Sequence, residues 1–120
     1  MTNPAQLAAG NAAFDSLVLD WIVDLNERGM SARTRDDYLY SIRDLKSWLI
    51  AHRASLTPSE VSTSEIQAWL TDPSLDRSGA VRRGRWTAAR SFWRWVYDLG
   101  IITANPMAGL SAPVAPTSPH

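Results

Sequence analysis

Arg82-Arg83-Gly84-Arg85-Trp86-Thr87-Ala88-Ala89-Arg90-Ser91-Phe92-Trp93-Arg94-Trp95-Val96-Tyr97-Asp98-Leu99-Gly100 forms the centre of a stretch from Ser78 to Pro106 that carries two helical faces. Val81, Ala88, Ala89, Phe92, Val96 and Leu99 recur at helical spacing and mark a stripe turned toward a core. Arg82, Arg83, Arg90 and Arg94 fall within about a third of the circumference beside it, at about 100° per residue. A helix that is apolar on one side and arginine-rich on the next is held by a core and offers cations outward. A phosphate backbone is the ligand that suits those cations best. A solvated charged face is the plainer alternative.

Working outward, Ser78 is a good N-cap for this helix, and Leu99-Gly100 ends it. Ile101 and Ile102 are expected to fold back onto the core, and Asn105-Pro106 reads as a turn. Ala108 to His120 holds three prolines among small residues and reads as an extended linker. Upstream, Ser62-Thr63-Ser64-Glu65 is a capping box that opens a short third helix with Ile66, Trp69 and Leu70 inward. Asp72-Pro73 stops that helix, Pro73 to Gly79 is a polar turn, and Arg53 to Val61 is a loop. Ser31 caps a second helix that runs to about His52. Thr34, Tyr38, Ile42, Leu45 and Leu49 form its apolar stripe, with Trp48 at the edge. Arg35, Arg43 and Lys46 share one flank of it, and Arg33 sits near its start. Phe14, Leu17, Val18, Trp21, Ile22 and Leu25 define the first helix, closed by Arg28-Gly29. Met1 to Ala13 has no such pattern and reads as a disordered tail. No alternation of the strand type occurs, so the fold class is all-α: a four-helix bundle whose second and fourth helices are long.

Composition narrows the function. A chain of 120 residues, 45% hydrophobic and with six Trp, can build one core. No run of about 18 apolar residues is present, and the first residues lack the positive start of a secretory signal. Cysteine is absent, which excludes disulfides, thiolate metal sites and cysteine nucleophiles and agrees with a cytoplasmic protein. Net charge is zero, yet the charges are sorted. Residues 1–27 and 54–76 carry acids and no base, residues 28–53 carry six bases against three acids, and residues 77–94 carry six arginines and no acid. Two basic segments folded side by side would make one positive surface. Arginine outnumbers lysine eleven to one, which suits bidentate phosphate and guanine contacts, although a GC-rich coding genome gives the same bias.

No catalytic constellation is legible. His52 sits at a helix end and His120 is the last residue, so neither belongs to a metal-ligand set or a nucleophile pair. Asp36 and Asp37 are adjacent on a helix and point about 100° apart. No cofactor is called for. Trp21, Trp48 and Trp69 read as core or near-core, and Trp86 and Trp93 lie nearer the arginine face.

The order of these elements resembles a known family. Ser31-x-x-Thr34-x-x-x-Tyr38, Leu45-x-x-Trp48-Leu49, the arginine-aromatic run Ala89 to Trp95, Gly100-Ile101-Ile102 and Asn105-Pro106 follow one another as in the core-binding domain of tyrosine recombinases. The likeness covers about Phe14 to Leu110. It implies a SAM-like helical domain over residues 14–107, a tail before it and an interdomain linker over 108–120. It further implies half of a C-shaped clamp on the double-stranded core of an attachment site. The other half, with the tyrosine that forms the phosphotyrosyl bond, belongs to a catalytic domain whose residues have no counterpart here. Tyr38, Tyr40 and Tyr97 lie in helices of the binding domain and are not read as nucleophiles. Expected DNA contacts are Ser31, Arg33, Thr34, Arg35, Arg43 and Lys46 from the second helix, with Ser78, Arg82, Arg83, Arg85 and Arg90 from the fourth. Neighbouring protomers on DNA are the expected protein partners, the isolated domain is expected to be a monomer, and the setting is the cytoplasm of a bacterial or phage-infected cell. A protein-interaction module without DNA binding is the rival reading. A helix-turn-helix regulator ranks lower, because the short third helix is acidic.

Overall fold

The computed structural model describes residues 4–52, 54–72 and 78–112. Its helices are α1 (Pro4–Glu27), α2 (Ala32–Ala51), α3 (Thr63–Leu70) and α4 (Gly79–Asp98), with a 3-10 turn at Pro58–Glu60. Among the described residues no strand occurs, and the all-α class holds.

Local chemistry sets the helix ends. Ser31 Oγ accepts from the Thr34 amide, Ser78 Oγ from the Val81 amide, and Ser62 and Glu65 satisfy each other's amides in the expected capping box. Helix α1 closes at Gly29, whose φ of 80° is open to glycine. There Gly29 N–H donates to Asn26 and Met30 N–H to Leu25, the paired bonds that satisfy the last carbonyls. Gly100 closes α4 in the same way, through Tyr97 and Val96.

The core is a meeting of aromatic rings. Phe92 of α4 lies 5.5 Å from Phe14 and 5.3 Å from Trp21, both on α1, and 5.1 Å from Trp93. Trp21 stacks at 5.9 Å on Tyr38 of α2. Ile42, Leu45 and Leu49 from α2 and Ile66 and Trp69 from α3 complete the buried set. Helices α2 and α4 form the most extensive pair. Asp44, in the second half of α2, pairs with Arg85 in the second turn of α4. Phe92 touches Trp21, which stacks on Tyr38 in the first half of α2. The two helices therefore run counter to each other.

Three expectations are corrected. Residues 4–13 are not a tail but the first turns of α1. Gly10 is buried there, and a Cβ added to it would stand 3.1 Å from the Thr57 amide nitrogen. The docking works by absence of a side chain, which is why no apolar stripe announced it. Leu99 and Ile101 are exposed because the turn at Gly100 aims them out of the core, while Ile102 is buried. Leu110 is packed against the core, so residues 108–110 are held rather than free. The remaining linker (residues 113–120), the tail residues 1–3, Arg53 and the polar turn 73–77 lie outside the described residues.

The packing at Gly10 predicts that Gly10→Val lowers stability by about 1–3 kcal/mol, as overfilled sites do. Urea denaturation checks it; an unchanged midpoint would return residues 4–13 to the status of a tail.

Candidate nucleic-acid interface

The arginine-rich helix predicted from sequence is α4, and its cations divide into three kinds. Arg83, Arg90 and Arg94 are exposed and fall within about 40° of one another at the helical repeat, forming one stripe. Arg94 shares the charge of Asp98, 3.7 Å away, leaving Arg83 and Arg90 without an ion pair among the described residues. Arg82 is half-buried at the edge of the stripe. No acid occurs between Gly79 and Tyr97, so the one acid of the helix, Asp98, stands at its last residue.

Arg85 is the exception, and its expected place at the surface is corrected. Its residue exposure is 7%, and its Nε lies 3.4 Å from Asp44 Oδ2. The same carboxylate oxygen accepts from Trp69 Nε1 at 3.0 Å. Arg85 thus joins α4 to α2 and α3 and presents nothing outward. The wheel places it in the middle of the apolar stripe, between Val81, Ala88 and Ala89, which is the signal that could have shown it.

Helix α2 is more mixed. Arg33 and Arg43 are exposed, whereas Arg35 is half-buried and donates from Nε to the Met30 carbonyl at 3.3 Å. Lys46 reaches α1, where its Nζ lies 2.6 Å from Asp15 Oδ1. The flank that Arg35, Arg43 and Lys46 share is therefore turned toward α1, and two of its three cations are engaged. Asp37 lies four residues from Arg33 on the same side and blunts its potential. Tyr40 was not among the expected contacts, yet it is 72% exposed and lies within about 20° of Arg33 at the helical repeat. Its position opposite the stripe of Ile42, Leu45 and Leu49 was legible in the sequence.

Ser31, Thr34 and Ser78 hold helix starts. Ser31 Oγ donates to Thr34 Oγ1 at 2.9 Å as well as capping the Thr34 amide. Because α2 and α4 run counter to each other, these caps stand at opposite ends of the pair. The tryptophans divide as burial dictates: Trp93 is wholly buried, and Trp86 is half-buried with the Arg90 guanidinium 5.3 Å over its ring. His52 caps α2 and stacks on Trp48, whose Nε1 donates to Asp72 at 2.7 Å. Among the described residues no group of three or more His, Asp or Glu could hold a metal ion. No helix there is long and apolar enough to cross a membrane.

Comparison with known proteins places this arrangement. No family model matches the chain. A tyrosine recombinase XerC of Xylella fastidiosa is 34% identical over 101 residues, which are 82% of this chain and 34% of that protein. A tyrosine recombinase XerD of Agrobacterium fabrum is 31% identical over 88 residues, covering 72% of this chain and 26% of that protein. The chain thus spans about a third of the length of the curated relatives it matches. Among solved structures, an integrase from mycobacterium phage Brujita superposes with a TM-score of 0.72 at 21% identity. That match covers 88% of this chain and 34% of the integrase, and it shows the fold.

The Asp44 junction predicts unequal costs for its two charges. Asp44→Ala removes the carboxylate that Arg85 Nε and Trp69 Nε1 share and costs about 3 kcal/mol, whereas Arg85→Met keeps the packing and costs less. Denaturant midpoints of the two variants check the order.

Proposed function

This chain is homologous over 82% of its length to a tyrosine recombinase, and from that premise we propose that it is the core-binding domain of such an enzyme. It grips one face of a double-stranded recombination site, and strand transfer belongs to a catalytic domain on the opposite face. The observation that carries this reading is the α4 stripe, an arginine row with no acid before Asp98 on a helix anchored by its opposite side.

Arg82, Arg83 and Arg90 supply the contacts from α4 and Arg33 one from α2, while Arg43 faces the groove between α1 and α2. Most of these contacts position the domain, and few read bases. The amide ends at Ser31-Thr34 and Ser78 add phosphate sites at the two extremes of the helix pair. Arg35 and Lys46 stay with Met30 and Asp15. Arg85 acts from inside, by fixing α4 on α2. The domain works in the cytoplasm, where the DNA is, and a covalently linked second half of the clamp raises its affinity through avidity.

A second surface favours protein contact. Phe14, Val18 and Leu19 of α1 and Ile42 and Ile50 of α2 line a groove of about 470 Å³. Leu19, Val23 and Ile50 are more than half exposed around it. This face suits a neighbouring protomer on the same DNA, away from the α4 stripe.

Four arginine contacts predict that log affinity for a short duplex falls with log salt at a slope of about −3 to −4. Replacing Arg82 and Arg83 together by Ala reduces that slope by about 2 and leaves the thermal midpoint nearly unchanged. Fluorescence anisotropy between about 50 and 200 mM salt measures it. Binding that is insensitive to salt, or unaltered in the double variant, would remove the stripe from the interface.

A further inference from the structure

Arg90 is held in a way that sets it apart from the other cations. The four ion pairs among the described residues join Arg28 to Asp24, Lys46 to Asp15, Arg85 to Asp44 and Arg94 to Asp98. Each restrains a cation by cancelling its charge. Arg90 is restrained by the neutral face of Trp86, one turn earlier, with its guanidinium carbon 5.3 Å from the ring centroid. A ring quadrupole attracts a guanidinium without neutralising it. Arg33, Arg43, Arg82 and Arg83 have neither kind of restraint among the described residues.

The ring is itself fixed. Trp86 is half-buried and packed against the core, and its Nε1 is buried with no hydrogen-bond partner. Apolar packing, not a polar tether, therefore sets the plane on which Arg90 rests. Beside it lies a groove of about 380 Å³, lined by Trp86, Arg90 and Arg94 of α4, by Asp98, whose charge Arg94 already takes, and by Asn105 and Leu110 of the returning chain. Arg90 thus stands at the rim of a concave, solvent-open slot with its full charge kept.

We propose that Trp86 is a positioning residue for DNA binding: its half-buried ring holds the Arg90 guanidinium in place, fully charged, for a phosphate of the duplex. This rests on the reading of the α4 stripe as the DNA face. An arginine that is already ordered loses less side-chain freedom when it meets its phosphate, so its contact is worth more than that of an unrestrained neighbour. Trp86 touches Arg90 and not the DNA.

The test is a double-mutant cycle on the whole chain, read by anisotropy with a short duplex of arbitrary sequence across a salt series. Arg90→Ala removes a charge and lowers the salt slope by about 0.9. Trp86→Leu keeps the charge, so affinity falls by about two- to fivefold while the slope stays unchanged. In the Arg90→Ala background, Trp86→Leu has no further effect. Trp86→Phe keeps an aromatic face and retains most of the affinity. Arg90→Lys, an exposed change that leaves the core untouched, keeps the charge and loses the planar stack; it weakens binding about twofold at unchanged slope. This variant carries the test if Trp86→Leu does not fold. If Arg90→Ala lowers the slope but Trp86→Leu weakens binding equally with and without Arg90, the positioning role is overturned and the DNA face stands. Arg90→Lys binding as tightly as the parent also overturns it. If Arg90→Ala leaves both slope and affinity unchanged, the DNA face at α4 fails, and the proposal with it.

Discussion

The carboxylate of Asp44 is the constraint on which the arrangement of helices depends. One oxygen receives the indole of Trp69 from α3 and faces the guanidinium of Arg85 from α4, while its own backbone belongs to α2. Three helices that could slide on apolar contacts alone are given one register by a directional polar node. A buried ion pair is weak evidence for net stability, since desolvation offsets much of the attraction. Its value here is specificity. With Arg85 facing α2, the helical repeat leaves Arg83, Arg90 and Arg94 on the solvent side. An inward cation thereby determines where the outward cations stand.

Much of this architecture is legible in the sequence because it is local. Ser31, Ser62 with Glu65, and Ser78 each act within three residues, and each caps the helix expected of it. Gly29 and Gly100 end α1 and α4 for the same kind of reason. The stripes of α2 and α4 follow from periodicity, and the aromatic core follows from them. What is lost is what depends on a distant partner. Gly10 packs on Thr57 by offering no side chain, and a segment rich in Ala and Asn gives no sign of that. Spacing puts Arg85 within the apolar stripe, but the carboxylate that receives it there, Asp44, lies 41 positions earlier.

The candidate site divides along the same line. Which arginines lie off the core stripe could be read from spacing, and Arg82, Arg83 and Arg90 emerge where spacing puts them. Which of the α2 cations are already engaged could not, because Lys46 finds its carboxylate on α1 and Arg35 its carbonyl in the preceding turn. Net charge misleads for a related reason. A sum of zero conceals an α1 carrying four acids and an α4 carrying five arginines, which the fold keeps on separate elements. The field near each helix, not the total, is what an approaching polyanion meets.

The chain leaving α4 turns back at once. Asn105 caps the return by accepting the Met107 amide at 2.9 Å on its side chain, Pro106 and Met107 are buried, and Leu110 rests on the core beside the slot that Arg90 borders. The docked return works as a mooring point. Anything covalently joined beyond Ala112 starts its excursion from alongside the arginine row, not from the far tip of the helix. Because effective concentration falls with surplus tether, shortening the free path by docking its first residues raises the local concentration of whatever the chain carries next.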